Sequence, residues 1–243
     1  MTVRPELIRR GRVDSTQDLV HQLGAENAAA GTAVVAVEQV AGRGAHGRAW
    51  HSAPGGLWLS VLLRPSPAGV GLISLRVGVT TAMVLEKMSG GVTLGLKWPN
   101  DLMLGEAKVG GILCEARWQG NIVAWVAVGI GINVTNPVPS DARYGAARLA
   151  DWSPSLTAEA IAEPLVAALA AVDYDRPSLS DDELAAFERR DWLRGRQLQE
   201  PIAGVADGIA PDGALRVRTP AGGALAYTGT VVPAAAGLPA PLI

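Results

Sequence analysis

Cysteine is nearly absent from this 243-residue chain: Cys114 stands alone, which excludes an internal disulfide and any cysteine-rich metal cluster. Its neighbours Ile112 and Leu113 make a buried structural thiol the expected role. Histidine is almost as scarce. His21, His46 and His51 form neither an HxH nor an HExxH pattern, so zinc chemistry and a tightly bound metal are not expected. An excess of either charge is missing too: 21 basic against 23 acidic residues leave a net charge of −2, which does not advertise nucleic acid. The long apolar stretches, 70–84 and 121–134, are broken by Gly, Ser, Arg or Asn and fall short of the ~20 apolar residues of a membrane span. The first twelve residues carry several charges and no apolar core, unlike a secretory signal. A cytoplasmic protein without a membrane partner is expected. Too few residues precede the first chemical motif, at Asp14, for a helix-turn-helix unit, so no DNA partner is expected either.

Apolar residues are plentiful, at 49% with a mean hydropathy of +0.22, enough for one main domain with a real core and a small second unit. Asp14 or Ser15 caps a predicted helix ending near Leu23. Strands are predicted at 33–38 (AVVAVE), 57–63 (LWLSVLL) and 94–98, the last stopping at a Pro99-Asn100-Asp101 turn. Residues 41–56 read as a loop and 70–88 as a buried helix. The runs 108–116 and 122–128, separated by Gln119-Gly120-Asn121, predict a hairpin, with 122–128 open as either core or a dimer edge. Helices are expected at 157–172 and 181–190. Beyond Leu193 the spacing of glycines and short strands predicts a small antiparallel β unit. The resulting division is 1–190 for the main α+β domain, 191–235 for the β unit and 236–243 for a fraying tail.

The loop Gly42-Arg43-Gly44-Ala45-His46-Gly47-Arg48-Ala49-Trp50 satisfies GxGxxG, so a dinucleotide-binding turn has to be weighed. The next segment, His-Ser-Ala-Pro-Gly-Gly, cannot open the helix that should receive the pyrophosphate. No acidic residue occurs between Glu38 and Glu86, so the ribose-binding carboxylate is missing as well. A P-loop fails because Gly47 is followed by Arg48-Ala49. The loop does offer exposed backbone N–H groups and two guanidinium forks able to grip phosphate or carboxylate; the plain alternative is a solvated surface loop.

Four segments in order carry a resemblance: Asp14-Ser15-Thr16; Gln39 through Trp50; Lys97-Trp98-Pro99-Asn100-Asp101 with Lys108-Val109-Gly110-Gly111-Ile112-Leu113; and Gly129-Ile130-Gly131-Ile132-Asn133. Together they resemble the biotin protein ligase family, in the short form without an N-terminal DNA-binding domain. The resemblance implies a class II synthetase-like catalytic domain, a mixed β-sheet flanked by helices, with a small C-terminal SH3-like β-barrel. It implies an ATP-dependent ligase that makes biotinyl-5'-AMP and passes the biotinyl group to a lysine of the biotin carboxyl carrier domain of acetyl-CoA carboxylase or a related enzyme. ATP with Mg2+ and biotin are then substrates.

The same resemblance assigns roles. Ser15, Thr16 and Gln39 would bind the ureido head, with Gly42, Arg43, Trp50, Gly111 and Leu113 along the ligand. Read plainly, Ser15 and Thr16 are a helix cap and Trp50 is core. Lys108 would bring biotin's carboxylate and the α-phosphate together, since a fixed ammonium stabilises the charge of the displacement. Asp101 would receive the acceptor lysine; Lys108, Asp101 and Arg43 form the expected catalytic set. Arg48, Asn100, Asp101, Asn133 and Trp152 would meet the nucleotide, Asn133 also contacting magnesium and Trp152 stacking on adenine. One departure stands out: Ala45 occupies a position where the family usually has arginine. The expectation is weaker retention of the adenylate, with Arg48 or His46 as compensating groups. Two rivals remain: a lipoate or octanoate protein ligase on the same scaffold, and a non-catalytic biotin or nucleotide sensor. Monomer and homodimer are both open.

Overall fold

The computed structural model describes residues 6–140 and 145–233. Seven strands form the main sheet: β1 (Leu7–Val13), β2 (Ala33–Gln39), β3 (Leu57–Leu63), β4 (Gly95–Lys97), β5 (Asp101–Leu104), β6 (Ala107–Gln119) and β7 (Ile122–Ile132). Their order is β1-β2-β3-β7-β6-β5-β4; among the described residues β1–β2 is the one parallel strand pair. Among the described residues four α-helices complete the fold: α1 (Thr16–Ala25), α2 (Ile73–Ser89), α3 (Ala158–Ala170) and α4 (Asp181–Glu188). Five short strands, β8 (Gln197–Glu200), β9 (Gly204–Ile209), β10 (Leu215–Thr219), β11 (Gly222–Ala226) and β12 (Val232–Pro233), form a second, antiparallel sheet ordered β11-β10-β9-β8-β12. The expected α+β architecture is present.

Strand periodicity decides which side carries the chemistry. In β3, Leu57, Leu59, Val61 and Leu63 enter the main core, as do Val126, Val128, Ile130 and Ile132 of β7. Alternate residues point the other way. There Leu62 and Ala127 join Val20 of α1 and Val34 of β2 in a smaller cluster, while Ser60, Gly129 and Gly131 are left to line a cleft. A sheet covered by helices on both faces needs continuous apolar strands, and all seven residues of β3 are buried.

Helix α2 and the turn before it, residues 67–89, are long and apolar enough to cross a membrane, yet most of the segment packs inside the protein. Arg76 sits in its middle, 1% exposed, bonded to Glu183 at 2.9 Å and to the carbonyls of Arg176 and Ser178. Ser180 caps α4 with Glu183 in a reciprocal capping box, so this carboxylate joins two helices.

Several expectations need correction. Strand β7 lies between β3 and β6 and is no sheet edge, so 122–128 belongs to the sheet interior. The strand expected at 94–98 is β4 and does stop at the expected turn, at 98–100, but a further strand, β5, that was not expected starts at Asp101. The segment 7–13, read only as charged, is strand β1. Cys114 as a residue is partly exposed, but its thiol is buried as expected, and burial pushes it up to about 12. The second sheet shares one core with the first: Leu198, Ala206, Ile209, Leu215 and Val217 belong to the same cluster as Leu94 and Leu96. The expected tail, 236–243, lies outside the described residues.

Candidate active site

The cleft encloses about 490 Å³ on the α1 side of the sheet. Glycine floors it because side chains from elsewhere need the space. A Cβ on Gly131 would lie 2.6 Å from Trp50 Nε1, one on Gly129 3.1 Å from Gln17 Cδ, and one on Gly111 3.2 Å from Lys108 Nζ.

One end is neutral and closely bonded. Ser15 caps α1 by accepting from the Gln17 backbone N–H, so the expected cap and the expected cleft residue are the same group. Thr16 donates its backbone N–H and its hydroxyl to Gln39 Oε1 at 2.8 and 2.9 Å. Gln39 Nε2 donates to Ser52 Oγ, and the hydroxyls of Thr16 and Ser60 lie 2.8 Å apart.

The other end is charged. Asp101 opens β5 and bonds Lys97 Nζ at 3.3 Å and, closely, Lys108 Nζ. The Lys108 ammonium also lies 5.1 Å from the Trp50 ring centroid, a cation–π distance. The Asn100 amide donates to the Ile112 carbonyl, and Asn133 Oδ1 accepts from Asn136 Nδ2 at 3.1 Å. Beyond Asp101 a second hollow of about 360 Å³ runs from Ala45, His46 and Arg48 to residues 228–231 of the C-terminal part.

The glycine–arginine loop folds back over the cleft. Arg43 bridges to Ala49, Gly44 N–H donates to the Arg48 carbonyl at 2.7 Å, and Trp50 N–H to the Gly42 carbonyl at 2.8 Å. His46 takes φ 59°, a left-handed conformation that few side chains tolerate. The loop is thus a hydrogen-bonded turn and not a solvated strand of chain.

Of the residues expected at the site, Ser15, Thr16, Gln39, Arg43, Arg48, Trp50, Asn100, Asp101, Lys108, Gly111, Leu113 and Asn133 all line the cleft. Two residues do not. Gly42 is absent from the wall; a Cβ there would meet the Trp50 carbonyl at 2.5 Å and Ser52 Oγ at 2.6 Å, so it serves the turn. Trp152 lines neither hollow and is 55% exposed. Arg43 pairs with Asp18 at 2.8 Å and Glu115 at 3.3 Å; the bonds to Asp18 chiefly raise its pKa.

Sequence reading passed over Gln17 and Ser60, both buried and both on the cleft wall. Ser60 carried a signal, being the one hydroxyl in LWLSVLL, whereas Gln17 carried only its place beside Ser15-Thr16. Among the described residues no three His, Cys, Asp or Glu side chains gather to hold a metal.

Residues 10–133 match the Biotin/lipoate A/B protein ligase family. The chain is 40% identical over 138 residues to the bifunctional ligase/repressor BirA of Bacillus subtilis, covering 56% of this chain and 42% of that protein. It thus spans less than half the length of that relative. It is 34% identical over 205 residues to the biotin–[acetyl-CoA-carboxylase] ligase of Paracoccus denitrificans, covering 78% and 85% of the two chains. The fold is similar to that of the biotin protein ligase from Aquifex aeolicus in complex with biotin and ATP, with a TM-score of 0.78, 27% identity and 94% and 98% coverage. Motif order, cleft and fold therefore agree, and this chain belongs to the biotin/lipoate A/B protein ligase family.

Proposed function

We propose that the chain uses ATP to convert biotin to biotinyl-5'-AMP and then transfers the biotinyl group to a lysine of a biotin carboxyl carrier domain. The observation that carries this reading is the polarity of the cleft. Neutral groups at Ser15, Thr16, Gln39 and Ser60 suit a urea ring, and the Lys108 ammonium, held by Asp101, suits a carboxylate. In the first step a biotin carboxylate oxygen attacks the α-phosphorus of ATP and pyrophosphate leaves. Lys108 offsets the repulsion between the two anions and the charge that builds as they join. In the second step the acceptor amine attacks the acyl carbon, an amide forms and AMP leaves. Asp101, on the wall between the two hollows, takes up the proton released by that amine.

Arg48 and Asn100 line the cleft where the nucleotide would lie, and Arg43 lies where biotin would. Magnesium enters with ATP as substrate; on the protein side Asn133 offers it an amide oxygen, consistent with the preference of the ion for oxygen and retained water. The acceptor is the carrier domain of acetyl-CoA carboxylase or a related carboxylase, in a cytoplasmic setting. Residues 191–235 act as a structural partner of the catalytic part.

Intact mass of a purified biotin carrier domain, incubated with the protein, biotin and MgATP, tests the proposal. One added biotinyl group, lost without ATP and with Lys108→Ala, is the expected result. Acylation by lipoate or octanoate but not biotin would transfer the chain to the rival ligase, and biotin binding without any acylation would make it a sensor.

A further inference from the structure

Arg43 stands near the start of the loop that folds back over the cleft, and its guanidinium reaches off the loop to two carboxylates. Nη1 donates to Asp18 Oδ2 at 3.0 Å, Nη2 lies 2.8 Å from Asp18 Oδ1, and the same Nη2 donates to Glu115 Oε2 at 3.3 Å. Asp18 sits in the first turn of α1 and Glu115 on β6, so one side chain ties the loop to a helix and to the sheet. Among the described residues, Arg43 is the one side chain of 42–49 with a hydrogen bond outside the loop; the Arg48 guanidinium turns back to the Ala45 carbonyl.

An isolated surface ion pair contributes little, because two long side chains must be ordered for a screened attraction. Three features set this one apart. The pair with Asp18 is bidentate. Glu115 is held in place from behind: its Oε2 also accepts from Gln17 Nε2 at 3.2 Å and lies 3.1 Å from His21 Nε2. Gln17 Nε2 in turn reaches the Leu113 and Ala127 carbonyls, and Trp125 Nε1 donates to His21 Nδ1 at 3.0 Å, which puts the proton of the neutral imidazole on Nε2, facing Glu115. Finally, Asp18 and Glu115 meet at one nitrogen, so Arg43 also relieves their mutual repulsion.

A guanidinium whose charge is answered twice is a poor hook for a further anion, and neither Asp18 nor Glu115 lines the cleft. We infer that Asp18 is a positioning residue: with Glu115 it clamps Arg43, and the clamped Arg43 holds the cover loop shut and slows escape of the adenylate without taking part in its formation. The closure is passed on by backbone bonds, from Gly44 N–H to the Arg48 carbonyl and from Trp50 N–H to the Gly42 carbonyl. It ends at the Trp50 ring, which packs on the glycine floor beside Lys108. Every bond of the clamp joins the protein's own groups, so it acts before a ligand arrives. The effect on the adenylate rests on the biotin reading above; the clamp itself does not.

Hydrogen–deuterium exchange on the ligand-free whole chain reads the clamp, and single-turnover quench with biotin and MgATP reads retention. Asp18→Asn is expected to speed exchange in residues 42–50 about fivefold and adenylate release by a similar factor, with adenylate formation at saturating substrates held within about twofold. Asp18→Glu should restore both. Salt at about 1 M, where the screening length is ~3 Å, should mimic the substitution in wild type and add nothing in Asp18→Asn. An effect of Asp18 on its own helix end would persist without Arg43, so Asp18→Asn should change nothing further in an Arg43→Gln background. Exchange and release unaltered by Asp18→Asn, or effects that add to those of Arg43→Gln, would overturn the clamp. Should the chain form no adenylate, the biotin reading falls, and the exchange data alone uphold or overturn the clamp.

Discussion

At the neutral end of the cleft, Ser15, Thr16, Gln39 and Ser60 are short or internally bonded side chains, anchored on α1, β2 and β3. At the charged end, Lys97 and Lys108 reach Asp101 along flexible stems, and Lys108 remains 27% exposed in its side chain. The first arrangement is pre-formed and can recognise a shape. The second consists of charges held by one another, which a reacting anion can recruit as it forms. Recognition and chemistry are thereby separated along one groove, and variants at the two ends should separate binding from turnover.

The largest expected effect is at the charged end. Lys108→Ala should slow adenylate formation roughly 10²–10³-fold while biotin affinity, measured by calorimetry, changes far less. An equal loss in both would erase the distinction between the ends. Next comes Ala45→Arg in the covering loop: a new charge-assisted contact should slow adenylate release by about tenfold or more, followed by its off-rate in single-turnover quench. Equal off-rates would sink that idea. Smaller again, Trp125→Phe removes the donor to His21 Nδ1 and should weaken biotin only a few-fold, by roughly 1 kcal/mol, leaving the turnover of bound biotin unaltered. Coupled losses in kcat would show that the two ends are not independent.

An effect on stability alone, with none expected on binding or turnover, sharpens the contrast from outside the cleft. Asp191, where the second sheet departs, bonds the Leu193 N–H through Oδ1, yet its Oδ2 is shut away without a partner. Burial raises this carboxyl to about 6. Its folded pKa exceeds the unfolded value, so the folded state binds the proton more tightly. Stability from this group is complete below the ordinary aspartate range and is lost as pH rises through about 6. Asp191→Asn should therefore raise the denaturation midpoint at pH 8, by about 1–2 kcal/mol after allowing for partial exposure, and do little at pH 4. The reverse ordering would show that Asp191 has a counter-charge, as Asp101 has.

Much of the frame was readable in the chain. The boundaries expected for LWLSVLL coincide with β3, because an unbroken apolar run bounded by Gly56 and Arg64 has few other uses. The Ser15 cap was equally plain. Strand β1 was not, since LIRRGRV is an edge strand whose arginines face Glu159, Glu163 and Glu38, and edge strands carry charge for that purpose. Most of the site emerged from motif order, but the Gln17 network did not. Its members are 94 to 110 residues apart from their partners on β6 and β7, and no local pattern records such pairing. Trp152, expected to stack on adenine, is exposed and lines neither hollow, a placement that its neighbourhood in the sequence does not record.

The Trp98 indole N–H donates to the Gly213 carbonyl at 2.9 Å, one residue from Lys97 and across the boundary between the two sheets. For anyone wishing to use the chain as a labelling reagent, that bond sets a lower limit on size. Trimming at the apparent boundary near residue 190 would strip the cover from Leu94 and Leu96 and loosen the strand that carries Lys97, a partner of Asp101. A minimal tag-writing fragment would have to keep the C-terminal strands or replace them with a designed surface.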